Sequence, residues 1–213
     1  MKTPSVEDWL DALDGVAYLV APSGVILGVG RNGWARFALA VGGLSPSAND
    51  VIGQSLFDMI ADDEARSAFR AIHGRVASLA RSALTYEYRC DAPNLERLMR
   101  MSVSALVTRG RLQGVLYQST LVWAKDRVPL EFLRGSEALR EEQRLSALPF
   151  VKICQFCAKV SMRAWGAEWI EPHMYYQRGG DDQVRLSHGV CPECERTRLA
   201  PLILEEARGE PAG

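Results

Sequence analysis

Two Cys-x-x-Cys pairs, Cys154-Gln155-Phe156-Cys157 and Cys191-Pro192-Glu193-Cys194, constrain this chain more than any other feature. Two residues between paired cysteines let one turn aim two thiolates at a single point. Four such thiolates complete the tetrahedron that a structural zinc ion prefers. Thirty-three residues separate the pairs, more than the roughly 15–20 of the usual double-knuckle spacing, so the insert must fold back on itself. Glu168-Trp169-Ile170-Glu171 and Gln183-Val184-Arg185-Leu186 read as strands, with Gly179-Gly180-Asp181-Asp182 as the turn. Pro192 suits the first position of a helix. That helix is expected to run to about Ala207, with Leu199, Leu202 and Ile203 on its apolar side and a kink or break at Pro201.

The expected zinc ligands are Cys154, Cys157, Cys191 and Cys194. His188 is then expected to hydrogen-bond a sulfur or backbone group beside them. Two alternatives stay open: three cysteines plus His188 as the ligand set, or a thiol redox or metal sensor built on the two Cys-x-x-Cys pairs. His173 reads as a surface histidine.

Charge excludes some partners. Lys and Arg number 25 against 26 Asp and Glu, and the balance holds along the chain, with no segment in excess by more than one. No basic face is available for a phosphate backbone, so no nucleic-acid partner is expected. The first residues contain no apolar run of the signal-peptide kind. The most apolar stretch, Gly15 to Gly30, is interrupted by Pro22-Ser23-Gly24 and is too short to cross a bilayer. A cytoplasmic protein without a membrane partner is the expectation, and in that compartment cysteines serve metal or redox chemistry rather than disulfides.

The chain divides into three parts. Residues 1–122 mix strands and helices. Val16–Val20 and Val25–Val29 flank a Pro22-Ser23-Gly24 turn as a hairpin. Asn32 to Val41 reads as a short helix closed by Gly42-Gly43, and Asp62-Asp63 open a longer helix to about Ala80. Leu84 to Cys90 alternates strictly, which sends Leu84, Tyr86, Tyr88 and Cys90 to one face of a strand. Two more strands follow, Leu98 to Val107 and Leu112 to Trp123. Residues 123–149 are charge-dense and read as a solvated helix or linker. Residues 150–213 are the cysteine module.

Hairpin, short helices, longer helix and three-stranded meander, in that order, resemble a PAS domain. Asp14-Gly15-Val16, Pro22-Ser23-Gly24-Val25-Ile26, Asn32 and Val51-Ile52-Gly53-Gln54-Ser55-Leu56-Phe57 before Asp62-Asp63 carry the resemblance. It implies an α+β fold, a five-stranded antiparallel sheet with flanking helices, to which the zinc-stapled C-terminal module is appended. It also implies a cavity walled by Trp34, Phe37, Phe57, Phe69, Tyr86, Tyr88, Cys90, Met101, Val103 and Tyr117. No cysteine precedes Cys90, so flavin-adduct photochemistry is not expected. His73 on the long helix offers an imidazole that could ligate haem. The tail, with Ser187-His188-Gly189-Val190-Cys191-Pro192-Glu193-Cys194, resembles a cysteine-rich module that follows PAS domains in bacterial signalling proteins.

The implied role is signal transduction: a PAS domain sensing a small molecule or protein partner, with a homodimer compatible with the reading. No enzyme is expected. The chain has three histidines, none in a phosphoacceptor pattern, and no phosphate-binding glycine loop or hydrolase motif.

Overall fold

The computed structural model describes residues 4–40, 47–60, 62–134, 148–166 and 168–204. The first unit comprises α1 (Val6–Asp11), β1 (Val16–Val20), β2 (Ile26–Val29), α2 (Arg31–Ala40), α3 (Ala48–Val51), α4 (Asp63–Ala77), β3 (Ala83–Arg89), β4 (Leu95–Thr108) and β5 (Arg111–Asp126). Its five strands form one sheet in the order β2-β1-β5-β4-β3, and all its pairings are antiparallel.

Each element has a local cause. Ser5 and Asp8 form a capping box that starts α1. Gly15 takes φ +76°, and a Cβ there would stand 2.0 Å from the Ser119 carbonyl oxygen. Only glycine lets the chain enter β1 so close to β5. The alternation of β3 buries Leu84 and Tyr86 opposite Val103 and Met101 of β4. With Val20, Val115, Tyr117, Ile72 and Val76 they form a filled core between the sheet and α4.

Asp62 starts α4 by accepting a hydrogen bond from the Ala65 amide at 3.0 Å. It also meets Lys152 Nζ at 2.7 Å, which ties the helix to the second unit. Burial raises the Asp62 pKa, but the Lys152 hydrogen bond, the Ala65 amide and the Lys152 charge outweigh it, and the net direction is down. Stability from this carboxylate is therefore complete above its ordinary pKa of about 3.9 and lost as pH falls through the lowered folded value. Asp62→Ala is expected to cost about 2 kcal/mol, roughly 1 from the cap and up to about 1 from the half-screened pair. Asp62→Asn, which still caps, should recover about half. Denaturation midpoints at pH 7 and pH 3 check both; at pH 3 the gap between wild type and Asn should narrow.

The second unit contains β6 (Phe150–Cys154), β7 (Val160–Met162), β8 (Arg185–Gly189), α5 (Pro192–Cys194) and α6 (Ala200–Leu204), the last two joined by a π turn (Glu195–Leu199). The sheet order is β7-β6-β8, with β6 and β8 parallel. A parallel pair needs a crossover of a dozen or more residues, and this is why the insert is long. The expected strand at 168–171 is not formed. Ile170 contributes one isolated bridge to Val160, and Pro172–Met174 and Tyr176–Arg178 are 3-10 turns instead. Pro172 starts the first turn, and Tyr175 between them is fully buried. The expected helix at 192 forms, and Pro201 does not break it. Within the π turn the Ala200 N–H bonds to the Glu195 carbonyl, a wider register that absorbs irregularity just before the proline.

Residues 123–149 are not all spacer. β5 extends to Asp126, and a 3-10 turn (Glu131–Arg134) follows. Leu130 and Phe132 are buried among Val151, Ile153, Val160, Ile170, Tyr175 and Val184. The sequence reading missed this because two apolar residues among charges show no period. The rest of that linker, 135–147, lies outside the described residues, as does the helix end expected near Ala207.

Candidate functional site

β6 and β8 run side by side and deliver their ends together, with Cys154 opposite Gly189 in register. Each strand leads directly into one cysteine pair. The four Sγ atoms of Cys154, Cys157, Cys191 and Cys194 lie within 4.8 Å of one another, and Cys157 Sγ stands 3.8 Å from Cys191 Sγ. Tetrahedral sulfurs with metal bonds of about 2.3 Å are about 3.8 Å apart, so the cluster has the size a single ion requires. Three of the four cysteines are buried. The Cys191 amide points at Cys154 Sγ, and the Cys194 amide at Cys191 Sγ, both at 3.4 Å. Such N–H groups stabilise sulfur charge. Cys191 also serves as N-cap of α5.

Protonation in the cluster is divided. The hydrogen bond from Cys157 holds the Cys154 thiol down near 5, against burial and with help from backbone amides. Cys157, half-buried and hydrogen-bonded to Cys154, is pushed far up. Burial, with the charge of Cys154 behind it, pushes Cys194 up to about 12. Four thiolates together need a cation, and an all-sulfur donor set suits a borderline-soft divalent metal. His188 supplies no fourth ligand in this set and makes no hydrogen bond to a sulfur among the described residues; its ring faces two cavities.

The cysteine cluster packs on the first unit. Cys154, Phe156, Cys191, Cys194 and Leu199 belong to the same core as the sheet and α4. The Arg89 amide at the end of β3 donates to the Gln155 carbonyl at 2.7 Å, so the knuckle occupies an edge of the sheet. Arg75 of α4 donates to the Ile203 carbonyl. At the exit of β5, Arg127 bonds Asp91 at 3.0 Å, and Arg89 grips the same carboxylate with two bonds.

Between the units lies a cavity of about 430 Å³, within the range of about 300–1,000 Å³ of small-molecule sites. Six of the ten residues expected at a cavity line it: Phe37, Phe69, Tyr86, Tyr88, Cys90 and Met101. The other four do not. Val103 and Tyr117 are fully buried in the packed core, Phe57 packs on His73, and Trp34 meets Tyr18 edge to face. Period-two alternation assigns a face but cannot say where that face is filled. Wall residues that the sequence reading did not place at a cavity come from both units: Tyr18, Met59, Ile60, Ala65 and Arg89 from the first, and Gln155, Leu186, Ser187 and His188 from the second. The only sequence signal for those of the second unit was adjacency to the cysteines.

His73, the candidate haem ligand, is buried and lies outside the cavity wall. One ring nitrogen contacts Tyr117 Oη at 3.0 Å and the other the Pro22 carbonyl at 3.3 Å, so neither faces open space. Among the described residues no helix is long and apolar enough to cross a membrane.

No protein-family model and no curated protein matches the chain. Similar solved structures include the PAS domain of BvgS from Bordetella pertussis, with 12% identity and TM-score 0.43, covering 54% of this chain and 82% of that one. A sensory box sensor histidine kinase from Vibrio cholerae shares 14% identity at TM-score 0.39, covering 55% and 88%. The Aer2 receptor of Vibrio cholerae, described as a dual PAS-heme oxygen sensor, shares 16% at TM-score 0.33, covering 51% and 94%. The five-stranded antiparallel order with α4 packed across the sheet, rather than these overlaps, identifies the first unit as PAS-like in fold.

Proposed function

We propose that this chain is a bacterial, cytoplasmic signalling protein in which a PAS-like domain senses a small molecule or protein partner and a zinc-held cysteine unit completes the sensor. No catalytic output belongs to this reading. One observation carries it: the apolar cavity is walled jointly by the sheet and by residues flanking the metal cluster. A ligand there touches both units at once, and a ligand shifts an equilibrium only where it contacts the two states differently. Zinc fits the cysteines because it favours four thiolates in a tetrahedron and needs no open position for a structural role.

Native mass spectrometry of the full chain tests the reading. One zinc per chain is expected, with a small molecule either co-purifying or binding with a change in subunit count or thermal stability. A chain that folds without metal and ignores added zinc would sink it.

A second reading is favoured by the 3.8 Å approach of Cys157 and Cys191 sulfurs. In a thiol sensor these would oxidise to a disulfide and expel the ion. Mild peroxide would then release zinc and leave two fewer free thiols; retention of zinc would rule that reading out.

A further inference from the structure

The two halves of the cavity differ in chemistry. The sheet unit supplies an aromatic and aliphatic wall, with Tyr18, Phe37, Phe69, Tyr86 and Met101. The cysteine unit supplies the polar end, Gln155, Ser187 and His188. Gln155 is 7% exposed and Ser187 5% exposed, yet neither side chain has a hydrogen-bond partner among the described residues. The buried Tyr86 hydroxyl has none either. Natural interiors seldom leave a buried hydroxyl such as that of Tyr86 unpaired, and the Gln155 and Ser187 side chains line the same cavity.

Charge narrows the class. No Asp or Glu lines the cavity, whereas Arg89 does. Behind Cys90, Arg97 is buried, bonded to the Cys90 carbonyl at 2.6 Å and near its sulfur at 3.9 Å. It forms no ion pair among the described residues. Arg89 pairs with Asp91 and Glu96, and Arg127 with Asp91, which leaves the Arg97 guanidinium as the positive charge with no carboxylate partner among the described residues. Every unpartnered group at the polar end can donate a hydrogen bond.

Building on the sensor reading above, we propose that this cavity takes an aromatic carboxylate, its ring against the Tyr and Phe wall and its carboxylate held by Gln155 and Ser187 of the cysteine unit. Residues that frame the metal ligands then read the ligand directly, and occupancy is felt at the cluster without a relay.

Isothermal titration of the full, zinc-loaded chain with 2-naphthoate, 2-naphthamide and naphthalene tests this. Naphthoate should bind at least about tenfold more tightly than naphthalene, with the amide between them, because a hydrogen bond to a charged group is worth about that factor or more. Gln155→Leu and Ser187→Ala should each weaken naphthoate about tenfold and leave naphthalene within about twofold, with zinc content per chain unchanged. Equal affinity for the three probes, equal losses for naphthoate and naphthalene in the variants, or no binding of naphthoate would overturn the assignment. The sensor reading fails separately, on the zinc and cargo measured by native mass spectrometry.

Discussion

Replacing Cys191 with serine is expected to cut zinc affinity by more than a hundredfold and to loosen residues 150–204 while the five-stranded sheet stays folded. Loss of a group that only supports a ligand already costs about 10–100-fold in metal affinity, and on the zinc reading Cys191 would be a direct ligand at the centre of the cluster. It receives the Cys194 amide, places its own amide on Cys154, and lies 3.8 Å from Cys157. Without the ion, the thiols of Cys157 and Cys194 hold their protons, and no cation draws the ends of β6 and β8 together. In small zinc peptides metal binding supplies about 10–16 kcal/mol of folding energy. Here a second cluster around Phe132 and Tyr175 shares the task, so partial loosening rather than unfolding is the expected outcome. Even so, metal at a thousandfold above its Kd stabilises by about 4 kcal/mol, and the variant forfeits that. Hydrogen exchange should rise across β6, β8 and α6 and at Arg89, whose amide is held by the knuckle, and change little in β1. Zinc content near one per chain in the variant, or unchanged exchange, would contradict the account.

The convergence of the two cysteine pairs was legible in the sequence because two residues between paired cysteines let one turn aim both sulfurs at a single point. β3 was legible because Leu84, Tyr86 and their polar neighbours alternate at the strand period. The contact between the units was not. It is made by single residues with no period of their own: Gln155 through its carbonyl, Lys152 through Asp62, Arg75 through Ile203. The insert length was a clue whose meaning needed topology. Thirty-three residues looked too long for a knuckle pair, yet a parallel β6–β8 ladder cannot be closed by a short turn. The cavity was half legible for a related reason. Alternation gave the face of β3 and β4, but which of those side chains meet empty space depends on how the second unit closes over them.

Phe132→Ala is expected to destabilise the cysteine unit by about 3–5 kcal/mol, the cost of deleting a fully buried aromatic ring. Phe132 has no exposed surface. Its ring stacks on Tyr175 at 4.0 Å and meets Tyr176 edge to face at 5.9 Å, while its amide donates to the Tyr176 hydroxyl. It follows directly on the exit of β5, where Leu130 is tied to the Pro93 carbonyl. This short segment therefore couples the end of the sheet to the core beneath β6. The neighbouring Glu131→Ala removes an exposed pair with Arg134 and should cost no more than about 0.5 kcal/mol. Exchange protection in β6 and β8 separates the two variants, since local openings report local stability. Phe132→Ala should lower that protection steeply and also weaken zinc retention under a chelator, because β6 and β8 carry the cysteines into place. Equal, small effects from both substitutions would mean that residues 130–134 are spacer after all, and that the units are joined through the shared core, the Asp62–Lys152 pair, Arg75 and the knuckle at Arg89 alone.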